Sequence, residues 1–388
     1  MASRRVPRTF RATNVPCSTS KSSLEAAVCT LCDPTEKDSI KIRTTIAPSC
    51  TDAKRSQTAI ITFDPSTPQK LAQASKVYII VDGADVEIDS DFFGLTQLYP
   101  PRGKKVSADI VAVTGLNGHA FGSWSGGPSK KMWLRDFLCE DDVLKTCRTM
   151  IFGYNSKLRD AADHSMFEYV RSFLGELSKA RSSEEERRRP IIFIGHSFGG
   201  NIITHSLPYA KTYESDAKIC SIVKATYGMH FFGVPHNGIA LDDVVDMVKD
   251  GSKPERVELV NEIINTAKSL TFPKENFKNM ATNLKIVSFY ETNMTKKVIK
   301  VRGESGYGRD GDHIMVVKRE SAVLGLPSSI ETAIPVDENH SSMVKFPTRT
   351  NKTYEHVRSF LQDWVKAAEK VVSERFGMLV LEFPLLTC

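Results

Sequence analysis

The chain is expected to fold as a doubly wound, mostly parallel α/β sheet with a small α+β domain ahead of it, and three observations predict this. The apolar, β-branched run Ile191-Ile192-Phe193-Ile194 leads into Gly195-His196-Ser197-Phe198-Gly199 and then a helix-like segment. A strand, a tight glycine-flanked turn and a helix follow in that order. From about residue 105 onward strands alternate with helical stretches, as they do when βα units wind on both faces of a parallel sheet. The earlier residues order their elements βαββαβ, a split-βαβ, ferredoxin-like layout.

Taken in order, residues 8–14 read as a strand ended by Pro16, and a helix is expected to open at Ser22. Ser22 and Glu25 have capping-box spacing, and Leu24, Val28 and Leu31 recur at helical intervals. Strands follow at Ile40–Ile46 and Thr58–Phe63, then a short helix at Thr67–Ala74 and a strand at Val77–Val81. This places a ferredoxin-like or RRM-like domain at 1–82. An Asp-rich stretch, Asp82 to Asp91, and Pro100-Pro101-Arg102-Gly103 mark a linker at 83–104. The element order resembles an RNA-reading domain, but base stacking needs exposed aromatics on the central strands. Only Phe10 and Phe63 are available there, so no nucleic acid is expected and a protein partner or packing role is. Arg4, Arg5, Arg8 and Arg11 precede any acid and could alternatively belong to a mitochondrial presequence, although Pro7 and Pro16 interrupt an amphipathic helix.

In the larger domain, 105–372, strands are expected at Asp109–Val113 and Thr149–Tyr154, with a helix through Phe167, Val170, Phe173, Leu174 and Leu177. Arg181–Arg189 reads as a solvated, mixed-charge spacer. The elbow strand comes next, then strands Thr226–Phe232, Leu284–Tyr290 and Glu331–Val336. Tyr354, Val357, Leu361, Trp364 and Val365 mark a closing helix, and 373–388 form a tail.

Composition narrows the class. Of 388 residues 41% are hydrophobic and 25% charged, the balance of a soluble globular protein. No apolar run reaches the ~18 residues that a membrane span needs. The stretch Phe376–Leu386 contains Glu382 and Pro384 and is expected to dock on the protein or touch a membrane surface. Eight cysteines without a secretory signal predict reduced thiols and an intracellular location. Cys29 and Cys32 form a CxxC with no second pair, so neither a metal site nor a cofactor is expected. Residues 1–70 hold 11 Lys/Arg against 6 Asp/Glu, so 11 − 6 = +5 of the net +6 lies there.

The chemistry centres on Ser197. A serine hydroxyl needs a base to take its proton, and the base needs a carboxylate to fix its tautomer. In an elbow fold these follow in the order Ser, acid, His. His340, after the last strand and before the closing helix, is the expected base. Glu291 directly follows the strand Ile286–Tyr290 and is favoured as the acid over Asp337, three residues from His340, and Asp312 in a glycine-rich loop. The oxyanion requires two aligned N–H donors, expected from Phe198 at the helix start and Leu116 in the loop Thr114-Gly115-Leu116-Asn117-Gly118-His119. Gly195 and Gly199 let strand and helix approach around the turn. His119 and His236 are expected to line the site, and Trp124, Trp133 and Phe121 are candidates for an acyl channel or for the core.

With these motifs the chain, from about Phe92 to Ala368, resembles the serine-active-site-containing (SERAC-type) group of lipase-like α/β-hydrolases, related to GPI inositol-deacylase. The resemblance is carried by Asp109 to Gly118, Gly195 to Gly200, Phe231 to Gly238, Ser288 to Thr292, Ser321 to Gly325 and Asn339-His340-Ser341. It departs from that group at Thr114, where a histidine is common, and at Arg302–Asp312, which looks like an insertion between acid and base. The resemblance implies ester hydrolysis or acyl transfer on lipids, with peripheral association at mitochondrial or endoplasmic-reticulum membranes; without it the cytoplasm is expected. The competing expectation is a non-catalytic signalling or interaction module on the same fold.

Overall fold

A computed structural model of the protein describes residues 9–157, 165–213, 215–238, 271–300 and 307–377. Arg4, Arg5 and Arg8, residues 302–306 of the expected insertion and residues 378–388 of the tail lie outside them.

The first domain is a five-stranded antiparallel sheet of β1 (Thr9–Pro16), β2 (Lys41–Pro48), β3 (Ser56–Asp64), β4 (Lys76–Val81) and β5 (Ala84–Asp89) in the order β2-β3-β1-β5-β4. Its first three positions, β2-β3-β1, follow the expected split-βαβ order, but the next strand beside β1 is β5, which falls in the segment expected to be a linker. The sequence carries the signal: Asp82-Gly83, with φ of 48° and 79°, is a two-residue hairpin turn, and Val86 and Ile88 alternate with Asp85, Glu87 and Asp89. The acidic composition of this stretch masks a strand of period two. The first helix, Lys21–Cys29, begins ahead of Ser22, because Ser20 supplies the N-cap and its hydroxyl accepts the Ser23 N–H at 3.0 Å.

One face of this sheet packs Phe10, Ala12, Ile61, Phe63 and Ile88 against Leu24 and Val28 of the helix. Phe10 and Phe63 meet edge to face at 5.8 Å and are fully buried, so neither presents a ring to a base. On the helix-free face Arg11 and Ile60 share a register position, and Ile60 joins the core of the second domain. Arg11 pairs with Asp89 at 2.8 Å and donates to Phe93 O at 2.7 Å and Thr96 Oγ1 at 3.0 Å. The pair lies within the first sheet, and the bonds from Arg11 to Phe93 O and to Thr96 of the second sheet pin the joint between the domains.

The second sheet has seven strands: β6 (Gly94–Gln97), β7 (Asp109–Val113), β10 (Arg148–Gly153), β11 (Ile191–His196), β12 (Thr226–Phe232), β13 (Lys285–Glu291) and β16 (Glu331–Val336). Two short strands, β8 (Ser125–Gly126) and β9 (Lys131–Met132), pair with each other outside it. The order is β16-β13-β12-β11-β7-β10-β6, with all neighbours parallel except β6, which is antiparallel to β10. β7, β10, β11 and β12 are buried along their whole lengths because helices cover both faces. This is an α/β-hydrolase sheet, and β11 at its centre carries the elbow. β6 also comes from the expected linker, so 83–104 supplies a strand to each sheet. Around the expected insertion, β14 (Thr295–Lys300) pairs antiparallel with β15 (Tyr307–Ile314), which holds the described end of it, 307–312. Among the described residues no helix is long and apolar enough to cross a membrane, and the described cysteines are unpaired.

The stretch expected to be a solvated spacer is exposed over 182–185, but the arginines at its two ends, Arg181 and Arg189, turn inward and are buried. Arg148 grips Asp109 through two hydrogen bonds of 2.9 and 2.7 Å, Arg189 adds one at 3.2 Å, and Arg181 closes on the same carboxylate. Burial would raise the Asp109 pKa, but the facing Arg148 and Arg181 guanidiniums outweigh it and hold the carboxyl at about 2. After Arg181 the charged residues of 181–189 form a block of three glutamates and a block of three arginines, and sequence alone does not mark which of them turn inward.

His230, in the middle of β12, lies among Phe289, Phe360 and Trp364, and neither ring nitrogen has a hydrogen-bond partner among the described residues. Burial pushes its pKa down to about 3. In the window from the unfolded value of about 6.5 down to 3 the unfolded chain takes a proton that the folded chain refuses. Stability therefore falls with pH, by up to about 1.4 kcal/mol per unit for this residue. His230→Leu is expected to raise the melting temperature and to flatten its decline between pH 6.5 and 4.5, above the range in which Asp109 titrates. A variant with the same slope as the parent would contradict this account.

Candidate active site

Ser197 stands between β11 and the helix Phe198–Lys211 with φ 52° and ψ −131°, a conformation that costs a non-glycine residue about 1–3 kcal/mol. Close packing enforces it: a Cβ on Gly195 would lie 2.6 Å from Gly200 Cα, and one on Gly199 would lie 2.3 Å from Val113 O. Its amide donates to Phe232 O of the neighbouring strand at 2.9 Å. The hydroxyl is thereby lifted off the carboxyl end of the sheet, where an open α/β sheet places its ligands.

The loop after β7 closes on this turn, since a Cβ at Gly115 would meet Ser197 Oγ at 3.2 Å. Leu116 follows directly. Neither the Leu116 nor the Phe198 amide donates to a protein acceptor among the described residues, and Phe198 opens the helix, whose dipole favours negative charge at that end. Thr114, where the resemblance leads one to expect a histidine, is buried, and its carbonyl accepts the Tyr154 hydroxyl at 2.8 Å.

Glu291 ends β13 and His340 lies in the turn after β16, both buried, with His340 Nδ1 3.0 Å from Glu291 Oε2. The pair is close but the N–H is not aligned for a straight hydrogen bond. The other carboxylate oxygen, Oε1, accepts the Val317 N–H at 2.7 Å. The rival acids are elsewhere: Asp337 is exposed and receives the Asn293 amide at 3.0 Å, and Asp312 is exposed on β15 of the hairpin. Ser197 and His340 are not hydrogen-bonded to each other among the described residues. They are linked through His196, which precedes Ser197 and whose Nε2 lies 2.9 Å from His340 O. Catalytic hydrogen bonds are often long before substrate binds.

The remaining candidates divide. His119 is a structural tie, with Nε2 on Ser90 O at 2.7 Å and Nδ1 accepting the Gly122 and Phe121 amides. His236 packs its ring 5.0 Å from Phe231. Trp124, Trp133 and Phe121 are buried; Trp133 donates to Val344 O at 3.0 Å and meets Trp124 edge to face at 6.2 Å, so these rings build core. Sequence reasoning missed His196, Thr295 and Val317. The first binds a carbonyl 144 residues away, and the other two meet partners 45 and 26 residues away in sequence, which a local pattern does not record. Among the described residues no cluster of side chains could hold a metal ion.

No family model matches the chain. It is similar to the proteins named SERAC1 of Danio rerio, 26% identical over 279 residues (66% of this chain and 39% of that protein), and of Homo sapiens, 24% identical over 291 residues (70% and 41%). Its homologues are thus SERAC1 proteins, and the chain spans about two fifths of the length of these curated relatives. Among solved structures it is similar to the mature Bacillus licheniformis lipase BlEst2, with 16% identity, a TM-score of 0.40 and coverage of 69% of this chain and 97% of that one. It is also similar to the Bacillus subtilis carboxylesterase CesB, with 12% identity, a TM-score of 0.36 and coverage of 74% and 90%.

Proposed function

We propose that the protein is a serine hydrolase of the esterase or lipase type, in which Ser197, Glu291 and His340 act together on acyl esters. The observation that carries this reading is the buried Glu291–His340 pair, set against the strained turn that presents Ser197. In this mechanism His340 Nε2 takes the proton of the Ser197 hydroxyl as the oxygen attacks the acyl carbon. Glu291 keeps the imidazole proton on Nδ1 and stabilises the imidazolium. The Leu116 and Phe198 amides donate to the oxyanion as the tetrahedral centre forms. His340 then returns its proton to the leaving alkoxide, the acyl group stays on Ser197, and water or an acceptor alcohol releases it by the same steps in reverse.

Lipid esters are the proposed substrates and mitochondrial or endoplasmic-reticulum membranes the proposed surroundings, on the similarity to SERAC1 proteins. The burial of Phe10 and Phe63, the aromatics of the two central strands, favours a packing role for that domain over nucleic-acid binding. A non-catalytic module would have no use for a carboxylate and a histidine buried together at the strand ends. A fluorophosphonate probe is expected to label the purified protein, and p-nitrophenyl esters with apolar acyl chains are expected to be cleaved faster than peptide amides. Faster cleavage of amides would remove the ester reading, and an unlabelled, inert protein would remove the hydrolase reading altogether.

A further inference from the structure

We infer that His196 and Thr295 are positioning residues that hold the peptide of His340 from both sides; this rests on the proposed role of His340 as base. His196 Nε2 lies 2.9 Å from His340 O, and the His340 N–H donates to Thr295 Oγ1 at 3.2 Å. A carbonyl can only accept, so His196 carries its proton on Nε2. Both side chains are buried, which keeps water from competing for either bond.

Burial, with the neighbouring His340 ring, pushes the His196 pKa down to about 3. The ring therefore stays neutral at any working pH and puts no charge beside the imidazolium that forms on His340. It lies 5.1 Å from the His340 ring on one side and 6.5 Å from Trp124 on the other, so packing limits its swing as well.

The placement of these two residues gives the clamp its meaning. His196 is bonded to Ser197, and Thr295 follows Glu291 by four residues at the start of β14. Each of the other two proposed triad members thus has a chain neighbour that grips the backbone of the third. Glu291 sets the angle of the imidazole, while His196 and Thr295 set the point from which it projects. An error of about 1 Å in such a placement can cost about 100-fold in rate.

Four variants test this: His196→Phe keeps a flat ring but removes the donor, His196→Gln restores an N–H near the Nε2 position, Thr295→Val removes the acceptor and Thr295→Ser restores it. The readouts are kcat and KM on p-nitrophenyl butyrate, the rate of fluorophosphonate labelling, and the melting temperature. His196→Phe is expected to lower kcat and labelling by about 10- to 100-fold, and Thr295→Val by about tenfold, with KM little changed. The Gln and Ser variants should recover most of the loss. If His196→Phe does not fold, the Thr295 pair carries the test alone. Wild-type rates in His196→Phe and Thr295→Val, a loss that Gln and Ser do not restore, or a change confined to KM would each overturn the clamp while leaving a labelled parent protein a hydrolase. A parent that is neither labelled nor active would overturn the hydrolase reading itself, and the clamp with it.

Discussion

Ser197→Ala is expected to abolish fluorophosphonate labelling and to lower ester turnover by about six orders of magnitude in kcat. The fold should survive, because serine and alanine meet the same backbone strain at φ 52° and the Ser197 amide keeps its bond to Phe232 O. The melting temperature should therefore move little. Residual hydrolysis near the parent rate, or labelling that persists at another serine, would show that the strained turn is not the reacting site.

Glu291→Gln is expected to cost about four orders of magnitude in kcat, less than loss of the serine. The contacts of Glu291 explain how. Val317 N–H donates to Oε1, so the amide that replaces the carboxylate keeps its oxygen there and turns its NH2 toward His340 Nδ1. Nδ1 must then accept, the ring proton moves to Nε2, and the face toward Ser197 loses its basic lone pair. The volume is unchanged, so the protein should fold. Asp337→Asn, at an exposed residue whose carboxylate accepts the Asn293 amide, should leave turnover near the parent value. If the Asp337 change does the greater damage, the acid role passes to Asp337.

The fold was legible where one interaction dominates a whole segment. Continuous apolar runs such as Ile191–Ile194 and Phe231-Phe232 can only be covered strands, and the glycine-flanked serine fixes which of them turns into a helix. Glu291 is favoured over Asp337 because it follows an earlier strand, whereas Asp337 stands only three residues before His340. Two kinds of feature were hidden. β5 was hidden by composition, because its carboxylates Asp85, Glu87 and Asp89 alternate one for one with the apolar residues that define the strand, and Asp82-Gly83 was the cue that outweighed them. The inward turn of Arg148, Arg181 and Arg189 was hidden by distance: their shared partner, Asp109, lies 39 to 80 residues earlier, and only the closed sheet brings them to it.

The segment once taken for a tether also decides where the chain can be cut. β5 zips onto β1 and β6 onto β10, and Arg11, held by Asp89, reaches across the join to Phe93 O and Thr96 Oγ1. A fragment starting at residue 105 would bare the hydrogen-bonding edge of β10 and uncover the apolar patch against which Ile60 rests. An unprotected strand edge beside exposed apolar surface is a template for self-association. The two sheets therefore behave as one unit in handling: the hydrolase half purified by itself should precipitate or form β-rich oligomers rather than report the chemistry of the intact molecule.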